Sequence, residues 1–415
     1  MTIRPEIAST ATATTVENAD ITVVGGAGHV GIPLVLALAE SGLRVNVNDL
    51  NRQTLDMLAA GRVPFIERGA EEALARALTH KRLVFTDTPN QISSNGPVII
   101  TIGTPIDEFL NPVRRVVQDC IDALLPGLND GQLVILRSTV FPGTTDWLAS
   151  YLQDKGRKLK VAFCPERVVQ GNGLVELREM PQIVSGTTPD AEVEAAAVFE
   201  RIAPEVIRIS PIEAEFAKLF ANAYRYIEFA ATNEFYLIAK SAGVDYHRVL
   251  HAMKSNYPRL RAIPGPGYAA GPCLVKDTMQ LSAFASNQFG LGHAALLVNE
   301  GLVLRVVEDI KRRFDLPNIT VGLLGMAFKA ESDDTRASLS YKFKKVLAGQ
   351  CKALLTTDPF VSPALDPDLQ PLEKVIAQSD LMILCAPHAA YRSADFQGKP
   401  VFDVWGQLQG ASVIK

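Results

Sequence analysis

A thiol set among small residues is the most reactive feature of this chain. Pro264 to Asp277 reads PGPGYAAGPCLVKD, with Cys273 preceded by Gly265, Gly267 and Gly271 and followed by Lys276 and Asp277. Glycine tolerates φ > 0 and close backbone approach, so these three are expected to press the loop's N–H groups against a substrate. A thiol becomes a good nucleophile at neutral pH when a cation favours its thiolate, and Lys276 is in reach. Cys273 is therefore the candidate nucleophile. A lone cysteine is often no more than a small buried hydrophobe, so the reading depends on what the other residues can do.

A second chemistry is carried by Gly26-Ala27-Gly28-His29-Val30-Gly31, fed by the β-branched run Ile21 to Gly25. In a strand–GxGxxG–helix unit Gly26 makes the tight turn, Gly28 admits a pyrophosphate and Gly31 lets the helix pack on the strand. His29 and Val30 complete the cofactor loop. A second strand, Arg44 to Val47, ends at Asp49, eighteen residues after Gly31. An acid there accepts from both ribose hydroxyls and repels a 2′-phosphate, which favours NAD over NADP. Val98 to Ile102 and Leu133 to Leu136 are strand-length apolar runs, so Thr104 and Thr139 fall at carboxyl ends where a doubly wound sheet binds its cofactor. Each is otherwise a helix cap or turn residue.

Three further sets complete the candidates. Strand Lys160 to Phe163 leads into Cys164-Pro165-Glu166-Arg167. This acid and base are either a surface pair worth little, or Arg167 holds substrate while Glu166 positions a water. Pro211 to Ala242 has apolar residues at helical spacing, and Lys218, Asn222 and Arg225 recur at i, i+4 and i+7, one face that converges on a ligand or is merely solvated. Lys329 and Arg336, after the strand Thr320 to Leu324, suit diphosphate oxygens.

The elements that must position these residues follow from length and composition. A chain of 415 residues forms two or three domains. With 47% apolar and 21% charged residues and a formal charge of -4 it is an ordinary globular composition, without the bulk positive charge that holds nucleic acid. Five cysteines without metal-ligand spacing suit a reducing cytosol and imply no metal site. Residues 1–19 lack the apolar core of a signal peptide and are expected to be a loose tail. No run of eighteen apolar residues suggests a membrane span. Two long helices, Pro211 to Ala242 and Gly292 to Phe314, separate the first α/β segment from a second, with strands at Thr320 to Leu324, Ala353 to Thr356, Leu381 to Cys385 and Val401 to Val404. The second has a lone Gly325 and no GxGxxG, so a second dinucleotide is not expected. The expected fold is α/β: two Rossmann-like doubly wound domains, 20–205 and 316–415, joined by a central long-helix dimerisation domain, 206–315.

Five separated motifs resemble, in order, the signatures of the nucleotide-sugar 6-dehydrogenases: GAGHVG with Asp49, STVFPGTT (138–145), AEFAKLFAN (214–222), GPCLVKD (271–277) and GMAFKAESDDTRAS (325–338). The resemblance implies an N-terminal NAD domain, a helical dimer-forming centre and a C-terminal domain holding the nucleotide diphosphate. It makes Cys273 the nucleophile, Lys218 the acid/base or oxyanion-stabilising cation, Asn222 its helper, and Asp277 the residue that orients water. It implies two successive oxidations of a sugar C6 alcohol to a uronate through a thiohemiacetal and a thioester. The stretch Glu166-Arg167-Val168 and Tyr257-Pro258-Arg259 look like the branch acting on N-acetylated hexosamines, with Arg259 reaching substrate, often across a dimer. Arg225, Ala270, Phe328, Lys329 and Arg336 fall on substrate-binding positions. Two departures stand out: GYAAGPC is one residue shorter than the family's usual loop, and Asp403-Val404-Trp405-Gly406 replaces an arginine-bearing stretch. The implied protein is a cytoplasmic homodimer or higher oligomer oxidising UDP-N-acetylmannosamine for a surface polysaccharide. UDP-N-acetylglucosamine, UDP-glucose, a non-catalytic binding subunit and a two-electron β-hydroxyacid dehydrogenase are the alternatives.

Overall fold

Short runs of β-branched residues and leucine, punctuated by glycine and polar turns, build two sheets in a computed structural model that describes Val16 and residues 18–415. Most of the expected N-terminal tail lies outside the described residues. Its last residue does not behave as tail, since the Ala19 carbonyl accepts from Ser93 Oγ at 2.6 Å and Ala19 is buried. The chain divides into two compact units, Met1–Leu219 and Phe220–Lys415.

In the first unit the strands are β1 Ile21–Val24, β2 Val45–Asn48, β3 Leu83–Thr86, β4 Val98–Ile100, β5 Leu133–Leu136, β6 Lys160–Phe163, β7 Gln182–Gly186 and β8 Val206–Arg208. Their spatial order is β3-β2-β1-β4-β5-β6-β7-β8. The first six are parallel, in the dinucleotide-binding order 3-2-1-4-5-6, and β7 turns antiparallel to β6. Parallel strands covered by helices are buried on both faces, which is why β4 (VII) and β5 (LVIL) are apolar throughout. Strand β2 carries two buried asparagines, and both are satisfied: Asn48 Nδ2 donates to Thr86 Oγ1 at 2.9 Å and Asn46 Nδ2 to the Gln91 carbonyl at 2.9 Å. Ends expected at Gly25, Arg44 and Ile102 shift by one or two residues. Gly25 leaves the strand with φ +75°, and Thr101 Oγ1 turns back onto the Val24 carbonyl.

The second unit holds β9 Thr320–Leu324, β10 Ala353–Thr357, β11 Leu381–Leu384, β12 Val401–Phe402 and β13 Val413–Ile414, all parallel in the order β10-β9-β11-β12-β13. This is the other common doubly wound order, with its switch point between β9 and β11. Strand β12 stops before the expected Val404 because the Asp403 carboxylate accepts the N–H groups of Gly406 and Leu408 and bends the chain. The long helices run Pro211–Ser241 and Gly290–Arg313. The second is long and apolar enough by length and composition to span a membrane. Its Leu302, Val306 and Ile310 nevertheless share a core with Val321, Leu323 and Phe343 of the sheet domain, the packing of an interior helix.

Candidate active site

The first unit builds a phosphate cradle at the end of β1. The tight turn expected of Gly26 is made by Gly25, whose φ is +75° and whose N–H bonds the Asn48 carbonyl at 2.8 Å. Gly26 is needed for space: a Cβ there would stand 2.7 Å from the Val23 carbonyl oxygen and 3.0 Å from the Val47 side chain. At Gly31 a Cβ would stand 2.4 Å from the Gly25 oxygen, so the Gly31–Glu40 helix packs on the turn as expected. At Gly28 a Cβ would meet only the Gly25 oxygen, at 3.4 Å, leaving that face open to a ligand. Val30 is the N-cap of the helix, and His29 stacks on Phe65 with centroids 4.0 Å apart.

Asp49 closes the cradle. Its Oδ2 accepts the Ala27 N–H at 3.0 Å and its Oδ1 the Asn51 N–H at 2.9 Å, and the residue stays half-exposed, so lone pairs remain for ribose hydroxyls. Arg52, three residues after Asp49, is held by Asp56 at 2.9 Å and Asp87 at 3.0 Å. Thr104 and Thr139 are brought together, Thr104 Oγ1 donating to the Thr139 carbonyl at 2.5 Å. An open glycine face beside a half-exposed carboxylate fits a dinucleotide.

Glu166 does not form a surface pair with Arg167. Its partner is Arg137, a fully buried residue that sequence reasoning missed, bonded through Nε at 3.0 Å and through Nη2. Arg137 also donates to the Cys164 carbonyl and to Gln182, both at 3.1 Å. The other Glu166 oxygen accepts the N–H groups of Arg167 and Val168 at 2.7 and 2.9 Å, so this carboxylate is spent on protein rather than on a water. Arg167 itself donates to the Pro181 carbonyl. Buried Glu215 likewise gathers the Gly143 and Thr145 N–H groups and the Thr145 hydroxyl, tying the 138–145 turn to the start of the long helix. Burial pushes its carboxyl up, against those hydrogen bonds.

Cys273 stands apart from the other four cysteines. It is exposed, whereas burial pushes Cys120 up to about 11, Cys164 to about 12, and raises Cys351 and Cys385 as well. It is the N-cap of the Leu274–Phe284 helix, whose N-terminal dipole favours an anion. The expected cation, Lys276, pairs with Asp277, Nζ to Oδ1 at 2.7 Å. Arg336 feels Cys273: its pKa is raised first by the hydrogen bond to Asp334 and also by the charges of Asp334 and Cys273. Asp277, one turn into the helix and fully buried, accepts from Asn222 Nδ2 at 2.6 Å. Its Oδ1 has the Lys276 contact without hydrogen-bond alignment, leaving a buried acceptor for a small ligand such as water. On the long helix Lys218 is half-buried, Asn222 buried and Arg225 exposed.

The glycines before Cys273 do a different job from the one expected. Only Gly271 has positive φ, +104°, and its N–H goes to the Ala337 carbonyl at 3.3 Å. A Cβ on it would stand 2.7 Å from the Phe328 ring. The Gly267 N–H bonds Asn233 Oδ1 at 2.8 Å, and a Cβ there would run into Trp405, whose indole N–H bonds the Cys385 carbonyl at 3.2 Å. The loop's glycines thus admit two aromatic rings, and the unusual Val404-Trp405-Gly406 stretch supports the Cys273 loop. Ala270 is half-buried beside it. Phe328 therefore stands next to the Cys273 loop. Arg336 bonds Asp334 through Nε and Nη2, at 3.0 and 2.7 Å. Tyr257 and Arg259 pair with each other, Arg259 Nη1 to the Tyr257 hydroxyl at 3.3 Å. Among the described residues no cluster of three His, Cys, Asp or Glu could hold a metal.

Models of the UDP-glucose/GDP-mannose dehydrogenase family match in succession: the NAD binding domain over residues 19–203, the central domain over 212–300 and the UDP binding domain over 322–410. The chain is 28% identical over 389 residues to a UDP-N-acetyl-D-mannosamine dehydrogenase of Pyrococcus horikoshii, covering 90% of each protein. It is 28% identical over 408 residues to an NDP-N-acetyl-D-galactosaminuronic acid dehydrogenase of Ralstonia nicotianae, covering 92% of this chain and 95% of that one. Among solved structures it resembles a UDP-glucose dehydrogenase from Pyrobaculum islandicum, with TM-score 0.88, 27% identity and 96% of each chain covered.

Proposed function

The chain belongs to the UDP-glucose/GDP-mannose dehydrogenase family of NAD-dependent nucleotide-sugar dehydrogenases, and on that premise we propose that it oxidises the C6 alcohol of a UDP-N-acetylhexosamine, best UDP-N-acetylmannosamine, to the uronate. The observation that carries the proposal is Cys273, exposed at a helix N-terminus with Arg336 in electrostatic reach and the buried Asp277–Asn222 pair one turn away.

When bound at Gly26, Gly28, His29, Val30, Gly31, Asp49, Thr104 and Thr139, NAD+ supplies the hydride acceptor for each of two oxidations. Lys218 takes the proton of the C6 hydroxyl. Cys273 Sγ then adds to the aldehyde carbon, forming a C–S bond, while Lys218 and Asn222 hold the resulting oxyanion. After the second oxidation C6 is a thioester. Asp277 orients the water that adds to it, the C–S bond breaks, and the thiol and the uronate are released. Arg167, Val168, Arg225, Ala270, Phe328, Lys329 and Arg336 hold the sugar nucleotide, with Tyr257 and Arg259 serving the same substrate or a partner subunit's. Relatives named for N-acetylated sugars support the N-acetylhexosamine reading. The product of such an enzyme feeds surface polysaccharide synthesis in the cytoplasm.

NADH formation with UDP-N-acetylmannosamine, its gluco and galacto epimers and UDP-glucose tests the substrate. The highest kcat/KM is expected with UDP-N-acetylmannosamine. A clear preference for UDP-glucose would overturn the N-acetyl assignment and leave the family chemistry intact.

A further inference from the structure

The two sheets repeat one local construction and use it for different ends. In each unit a glycine with positive φ follows the first strand, Gly25 at +75° and Gly325 at +91°. Each donates its N–H at 2.8 Å to the last residue of the neighbouring strand, Asn48 or Thr357. In each, the next residue is an aspartate that gathers N–H groups from the glycine loop: Asp49 takes Ala27, and Asp358 takes Met326 at 2.6 Å and Ala327 at 3.0 Å.

The difference lies in what is left over. Asp49 is half-exposed with two hydrogen bonds, and stays open to a ribose. The Asp358 side chain has no exposure, and beyond the loop N–H groups it accepts those of Phe360 and Val361 at 2.8 and 3.0 Å and contacts His388 Nε2 at 3.2 Å. His388 is itself fully buried, and its Nδ1 accepts the Glu331 N–H at 3.0 Å. A neutral imidazole has one donor and one acceptor, so the proton sits on Nε2 and is donated to Asp358. Asp358 fixes the segment at 326–327 and His388 fixes it at 331. Between these anchors stand Phe328, whose ring packs on Gly271 two residues before Cys273, and Lys329.

We propose that Asp358 and His388 are positioning residues, a buried clamp that sets Phe328 against the Cys273 loop, fixes the backbone at Lys329 and so determines affinity for the UDP moiety. The place is the carboxyl end of β10 and β11, beside the switch point where an open α/β sheet takes its ligand. This rests on the UDP-sugar reading above. The position that reads a ribose in the first unit has become an internal tie in the second.

Calorimetric titration of the full-length chain with UDP and, separately, with NAD+ tests the clamp. Asp358→Asn replaces an acceptor by a donor facing N–H groups, His388→Ala removes both contacts, and His388→Gln retains a donor toward Asp358. Asp358→Asn and His388→Ala should weaken UDP binding by about tenfold or more, the usual consequence of leaving a buried partner unsatisfied. NAD+ affinity should stay within about twofold, because the clamp lies wholly in the second unit and the glycine cradle wholly in the first, and His388→Gln should recover part of the UDP loss. Unchanged UDP affinity in Asp358→Asn and His388→Ala would overturn the clamp, and so would equal losses for UDP and NAD+, which mark a merely structural role. Failure of the wild-type chain to bind UDP would overturn the substrate reading itself.

Discussion

Asp277 and Asn222 are bonded to each other before any substrate arrives, at 2.6 Å and out of solvent. This pre-alignment leaves one Asp277 oxygen without an aligned donor, the feature a water-orienting carboxylate needs. Asp277→Asn keeps the shape but loses the charge that polarises water, and should lower kcat by about 10²–10⁴-fold, the usual worth of a positioned acid/base group. Intact-protein mass spectrometry should then find the acyl group on Cys273; a normal rate with no adduct would contradict the role. Cys273→Ser should lose turnover by several orders of magnitude while still binding NAD+ and UDP, because a hydroxyl lacks the nucleophilicity of a thiol without a strong base. Normal uronate production by that variant would sink the nucleophile assignment. At the cofactor end, Asp49→Ser should shift kcat/KM toward NADP+ by roughly tenfold, removing the repulsion of a 2′-phosphate. An unchanged NAD+/NADP+ ratio would show that Asp49 does not read the ribose.

At the level of elements, much was legible because the motifs sit where strands end, and strand ends are fixed by apolar runs such as LVIL and TVGLL. GxGxxG and Asp49 could be placed from spacing alone, whereas the helix that starts after Cys273 went unread. What could not be read were long-range pairings of single polar residues. Arg137 looks like the tail of an apolar strand, and its commitment to Glu166 depends on β5 and β6 being neighbours. Asp358 and His388 are thirty residues apart in a chain region with no motif of its own. The loop glycines misled for a related reason, since φ and available space are set by Trp405 and Phe328, both remote in sequence. Arg137→Met should destabilise the first unit by roughly 3–5 kcal/mol, the cost of leaving Glu166 buried without its partner. An unchanged melting transition would contradict that cost. Asp358 is also a pH element. Burial pushes its carboxyl up, but hydrogen bonds from His388 and backbone N–H groups hold it below the ordinary 3.8. Its contribution is therefore complete above that value and is lost as pH falls through the depressed one. The melting-point gap between wild type and Asp358→Asn should close on acidification below about pH 4. A gap that already closes above about pH 4 would contradict the shift.

For the molecule as a whole, the second unit exposes apolar side chains in a pattern that one copy does not bury: Phe220 (54%), Tyr224 (64%), Ile238 (60%) and Leu297 (75%), all on the two long helices. Single exposed apolar residues are ordinary, but a run of them along paired helices suits a self-association surface. Sedimentation should find a dimer or larger at micromolar concentration, and Leu297→Asp with Tyr224→Asp should shift it toward monomer. A monomeric wild type would contradict the reading.

Two parallel-sheet units, one with an open ribose-reading carboxylate and one with that position closed, suit one NAD site and one nucleotide-sugar site per chain. On the proposed reading the exposed Cys273 accounts for a second oxidation, since a thiol adduct makes the aldehyde carbon tetrahedral and able to lose another hydride. The amount of NADH formed per UDP-sugar consumed to completion tests this most directly. Two equivalents, with uronate as the product, are predicted; one equivalent, with the aldehyde released, would contradict the account.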